Sequence, residues 1–183
     1  MIRHVARLAF AALLTAPLAA PSAAFAQTGE ALIKKLGANS PIANITFPAD
    51  KSIQYRVSWD VTQGPEKPGQ LVSGFRVPAN FFVMAEQEGV PRRNVHLAII
   101  VHGTATQSLL NREAYKAATG AENESIPLLE ALNAAGVQII VCGQALINRK
   151  VPREGLLPFV KVANSATMAR AVLAAQGYAT FTP

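Results

Sequence analysis

The chain has 183 residues, half of them apolar, and 17 Lys and Arg against 11 Asp and Glu give it a net charge of +6. Its cations are scattered, with no basic run and no interleaved aromatics, which argues against a nucleic-acid footprint. The one cysteine rules out an internal disulfide framework, and the length suffices for a single domain with its own core.

Residues 1–26 read as a secretory signal. Arg3, His4 and Arg7 form a positive start, Leu8 to Leu14 an apolar stretch, and Ala24-Phe25-Ala26 a cleavage site before Gln27. The apolar stretch, with Pro17 and Pro21 close behind it, is too short for a membrane span. The expected mature chain is therefore exported, periplasmic or secreted, free of the membrane, and carries +4 once Arg3 and Arg7 are removed.

Residues 27–51, with Gly29, Gly37, Pro41 and Pro48, read as a lead-in. Within them Glu30 to Leu36 can form a short helix, expected as a surface arm without chemistry. Asn44-Ile-Thr46 and Asn123-Glu-Ser125 match the glycosylation sequon, which matters only in a host that glycosylates exported proteins.

The domain is expected over residues 52–183. Ile53 to Val61 alternates apolar and polar residues and reads as a first strand; Gln63 to Gln70 is a loop rich in Gly and Pro. A helix from about Pro78 to Glu88 should close at Gly89. Val95 to Val101 is the near-continuous apolar run of a strand covered on both faces, and it ends in His102-Gly103. Gln107 to Ala118 has helical spacing. After a loop, Ser125 is the expected cap of a helix running to Ala135, with Pro127 in its first turn.

Val137 to Val141 follows Gly136 as a buried, mostly β-branched strand, and Cys142 and Gly143 stand at its exit. Gln144 to Asn148 can form a helical turn and Leu156 to Phe159 a loop or short helix. Val160 to Ala163 is a short strand, Ala166 to Gln176 a helix stopping at Gly177, and Tyr178 to Phe181 a last strand. Alternating strands and helices predict an α/β layered fold with a mainly parallel sheet. In such sheets ligands gather at the carboxyl ends of the strands, where this sequence places Asp60, His102, Cys142, Asn164 and Ser165.

A helix opening directly after Cys142 would favour its thiolate, the reactive form of cysteine. A free cysteine is also among the residues most often buried as a small hydrophobe, so both readings stand. His102 can orient or deprotonate the thiol if its strand lies next to that of Cys142. Arg149, Lys150 and Arg153 can stabilise a thiolate or bind an anion, or form a solvated loop. His96, His102 and Cys142 have no zinc-site spacing, and nucleotide, dinucleotide and serine-hydrolase motifs are missing, so neither metal nor cofactor is expected.

Val-His-Gly-Thr-Ala-Thr at 101–106, Leu-Leu-Asn-Arg-Glu-Ala-Tyr at 109–115, Leu-Leu-Glu-Ala-Leu-Asn-Ala-Ala-Gly-Val at 128–137 and Val-Cys-Gly-Gln-Ala-Leu at 141–146 resemble the exported branch of the DsrE/DsrF-like family. Leu-Leu-Pro at 156–158 and Gln-Gly-Tyr-Ala at 176–179 fit as well. The resemblance implies a three-layer α/β/α domain with a five-stranded, mainly parallel sheet, assembled as a homo-oligomer. It also implies sulfur relay, in which a cysteine after a central strand accepts a persulfide sulfur from one protein and passes it to another. Cys142 stands at the matching position, with His102 as its neighbour and Gly143, Gln144, Asp60, Asn164, Ser165 and Arg149 as the expected binding residues. Relay partners in the family are cytoplasmic, whereas this chain has an export signal. Two functions therefore stay open: an exported persulfide carrier with a sulfur donor or acceptor protein as partner, and a non-catalytic oligomeric binding or assembly domain with a buried structural cysteine.

Overall fold

The computed structural model describes residues 23–182. The expected leader lies outside the described residues, except that the backbone of 23–26 opens the first helix. No helix among the described residues is long and apolar enough to cross a membrane.

Five strands, β1 (Tyr55–Val61), β2 (Val95–Val101), β3 (Gln138–Cys142), β4 (Lys161–Ala163) and β5 (Ala179–Phe181), form one wholly parallel sheet. Their order is β4-β3-β2-β1-β5. The helices are α1 (Ala23–Leu36), α2 (Val77–Gln87), α3 (Arg112–Thr119), α4 (Ile126–Ala134), α5 (Gly143–Asn148) and α6 (Ala166–Ala175). This is the α/β/α architecture with five strands that the sequence predicts.

Parallel strands are joined by right-handed crossovers, so the direction of each step across the sheet decides which face its helix covers. From β1 to β4 the chain steps one way, and its helices gather on one face. There Val57, Trp59, Val61, Leu97, Ile99, Val101, Ile139 and Val141 bury against Phe75, Phe82, Leu129 and Leu132. From β4 to β5 the chain steps back across three strands, which places α6, alone among the described helices, on the opposite face. That thinner layer buries Ala98, Ile100, Ile140 and Cys142 under Ala166, Ala169 and Leu173. Because side chains alternate along a strand, the odd-numbered residues of β2 serve the first face and the even-numbered ones the second.

Glu30 to Leu36 is not a surface arm. It is the second half of α1, which packs on α2 and α4 through the buried Ile33. Gly37 ends this helix so close to α2 that an added Cβ would lie 2.3 Å from the Ala79 carbonyl oxygen. Ser125 stands at the expected N-cap position of α4, but its side chain does not cap: its backbone is helical, and its hydroxyl accepts from Val72 N instead. Residues 103–109 form a 3-10 turn, and the helix starts only after Asn111, whose side chain accepts from Ala114 N. An antiparallel bridge from Leu110 to Leu156 draws this stretch out of the continuous helix that its spacing predicts.

Candidate functional site

Three valine pairs fix the level of the sheet's carboxyl edge: Val61 pairs with Val101, Val101 with Val141, and Val141 with Val162. One residue further on, Cys142 pairs with Ala163, and His102 holds the equivalent place beside Cys142 on the neighbouring strand. Even numbering turns both side chains toward the α6 face. The expected adjacency of the two strands is thus present.

Chain direction changes at this edge. After β3 the chain passes into α5 on the first face, where Leu146 joins the main core; after β4 it passes into α6 on the second. The crevice between such diverging strands is where open α/β sheets bind their ligands. Cys142 stands on one side of it and Asn164-Ser165 on the other. Gln144 N donates to the Asn164 carbonyl at 3.3 Å, and Gln144 Nε2 to Asn164 Oδ1 at 3.4 Å. Gly143 permits this closeness, since a Cβ there would lie 2.8 Å from the Ala163 carbonyl oxygen.

Cys142 occupies the N-cap position of α5 and makes no side-chain capping bond, while the second N–H of the helix, that of Gln144, is the one spent on the Asn164 carbonyl. Its residue surface is 7% exposed, and it belongs to an apolar cluster with Ile100, Ala166 and Ala169. Ser165 is committed to capping α6, its hydroxyl accepting from Met168 N at 3.1 Å. Arg149 is exposed at the far end of α5, about 9 Å along the helix from its start, and does not join Cys142.

Asp60 is placed differently from an open binding residue. It is buried on β1 and held by Arg170 of α6, whose Nε donates to both of its oxygens at 3.2 and 2.9 Å. His102 Nε2 lies 3.6 Å from Asp60 Oδ1, beyond hydrogen-bond length, and has no partner among the described residues. The loop after β2 is fixed onto the loop after β1: His102 N donates to the Val61 carbonyl, and Thr104 Oγ1 to that of Thr62. Gly103 (φ +61°) makes this possible, because a Cβ would lie 2.5 Å from the Thr62 carbonyl oxygen.

Arg170 is the residue that sequence reasoning missed. The signal existed: Ala166, Ala169, Arg170 and Leu173 share one face of a helix, and an arginine on an apolar face needs an acid in the sheet beneath it. Among the described residues no cluster of three or more His, Cys, Asp or Glu is arranged to hold a metal ion. His96, the other imidazole of the described chain, bonds Gln54 at 2.8 Å near the opposite edge of β2.

A model of the DsrE/DsrF-like family matches residues 73–183. The chain belongs to the DsrE/DsrF-like family. His102, Cys142, Asn164 and Arg170 fall within the matched stretch, and Asp60 precedes it. Among solved structures, this DsrE/DsrF-like chain is similar to a protein of unknown function from Methanobacterium thermoautotrophicum, at 18% identity and a TM-score of 0.49. That likeness covers 70% of this chain and 99% of the other. It is also similar to the ychN protein of E. coli, at 20% identity and a TM-score of 0.48, covering 69% of this chain and 99% of the other. No curated protein matches it.

Proposed function

We propose that this chain carries sulfur, with Cys142 accepting a sulfane sulfur and passing it on. Membership of the DsrE/DsrF-like family suggests sulfur relay at the level of the family. The observation that carries the finer reading is the position of the only cysteine, at the carboxyl end of β3, on the crevice where the chain directions diverge.

The chemistry needs no metal. The Cys142 thiolate attacks the outer sulfur of a donor persulfide; one S–S bond forms, one breaks, and the donor leaves as its thiolate. An acceptor thiolate reverses the exchange. In this reading His102, on the neighbouring strand, takes or returns the proton of the thiol. The expected export signal makes the periplasm or the exterior the proposed place of action, with a donor or acceptor protein there. Assembly into a homo-oligomer is part of this reading, and Met168 and Val172, each about half exposed on α6, offer apolar surface for it.

A second reading rests on one observation, the burial of Cys142 among apolar side chains. By it the cysteine is structural and the domain binds or assembles without sulfur chemistry. Alkylation of the folded protein separates the two. Modification of Cys142 under native conditions, at a rate that rises with pH as the thiolate forms, supports the carrier. Modification only after denaturation overturns it.

A further inference from the structure

We infer that the cleft between α5 and the outer edge of β4 is the docking surface for an extended acidic segment of a partner polypeptide. The partner's role as sulfur donor or acceptor rests on the reading above; the docking itself does not.

The cleft has a volume of about 530 Å³ and begins with Gly143 and Gln144, the two residues after Cys142. Leu146, Val151 and Val162 give it an apolar lining, and Ile147, 71% exposed, stands on its rim. β4 is an end strand, and among the described residues no strand pairs with its other edge, which leaves that edge for an added strand. An open edge beside side-chain pockets is how sheets take up extended peptides.

Charge selects the kind of peptide. From Gly143 to Asn164 the sequence carries four cations, Arg149, Lys150, Arg153 and Lys161, against one acid, Glu154. Lys150 and Arg153 line the cleft. Neither they nor Arg149 form an ion pair among the described residues. A segment with carboxylates beside an apolar side chain complements this surface.

Lys150 adds an observation of a different kind. α2, α4 and α6 each end on a glycine with positive φ, Gly89, Gly136 and Gly177, and the following N–H reaches back to the last turn. α5 ends in the same hydrogen-bond pattern, Lys150 N to Ile147 O and Val151 N to Leu146 O, yet carries lysine at φ +53°. Glycine fits that conformation without strain. The fold therefore holds a cation facing the cleft where α2, α4 and α6 use glycine.

The probe is a capped, fluorescein-labelled heptapeptide alternating glutamate and valine, titrated against the full chain bearing Cys142→Ser. The expected result is saturable binding, weakened about tenfold or more by Arg153→Gln, by Ile147→Gln and by Lys150→Gly. Lys150→Gly keeps or raises the melting temperature, so its loss of binding is not unfolding. A lysine and valine peptide is expected not to bind. Absence of binding by the acidic peptide, equal binding by both peptides, or equal binding by the variants overturns the proposal. So does a second copy of the chain filling the cleft, seen as self-association that Ile147→Gln abolishes. Since Cys142 is absent from the experiment, sulfur transfer can fail while docking stands, and docking can fail while sulfur transfer stands.

Discussion

Arg170 Nε bonds both carboxylate oxygens of Asp60, at 3.2 and 2.9 Å, and so ties α6 to the central part of the sheet next to His102. Asp60 is nearly buried, while Arg170 keeps about a third of its side chain in solvent. Removing the arginine leaves a buried carboxylate without its cation, which costs more than the pair itself contributes. Arg170→Met is expected to destabilise the fold by about 2–3 kcal/mol, a figure reduced from fully buried pairs because Arg170 is partly solvated. Urea unfolding of both proteins measures this, and a change below about 0.5 kcal/mol would contradict it.

Lys150 predicts the opposite sign. Its φ of +53° suits glycine, and its N–H and that of Val151 complete the end of α5 whichever residue stands there. Lys150→Gly should therefore stabilise the fold by about 1 kcal/mol, raising the melting temperature by roughly 2–4 °C for a domain of this size. A lower melting temperature would show that the lysine side chain holds the fold.

Asn123 forms one of the sequons in the chain, yet its side chain is committed inside the protein. Nδ2 donates to the Ser108 and Leu110 carbonyls at 3.0 and 2.8 Å, and Oδ1 accepts from Ser125 N at 3.1 Å. Asn123→Ala leaves these buried groups unpaired and is expected to cost about 2–3 kcal/mol. Mass analysis after expression in a glycosylating host should find no glycan at Asn123, whereas Asn44 is exposed.

Ile33 tests whether α1 belongs to the domain. It is 6% exposed, in the face that α1 presents to α2 and α4. Ile33→Ala is expected to cost about 2–4 kcal/mol. A loss under about 0.5 kcal/mol would return the segment to the surface arm that its short apolar pattern suggests.

That segment shows why part of the fold is hidden in the sequence. Leu32, Ile33 and Leu36 form a short stripe, and the expected cleavage after Ala26 cuts the helix that carries it. The central strands are legible because β2 and β3 lie between two helical layers and are apolar apart from His96 and Gln138 near their starts. The ends of α2, α4 and α6 are legible because glycine relieves a positive φ there. Ser125 misleads because a cap and a tertiary hydrogen-bond acceptor have the same side chain, and only the fold brings Val72 N to it.

In the site, Cys142, His102, Gly143, Gln144 and Asn164 share one edge because each ends or follows a parallel strand, and the alternation of strands and helices along the chain is enough to place them there. Arg149 is close to Cys142 in sequence, but a helix turns that closeness into distance. The Asp60 and Arg170 pair spans 110 residues and is visible only when α6 is laid over β1.

The central claim, that Cys142 carries sulfur, is tested most directly by intact-protein mass spectrometry after exposure to a low-molecular-weight persulfide and removal of excess donor. The account predicts a gain of one sulfur atom on the folded protein, lost on addition of an acceptor thiol and absent from Cys142→Ser. An unchanged mass under conditions that persulfidate the same thiol after denaturation would contradict it, leaving Cys142 a packing residue.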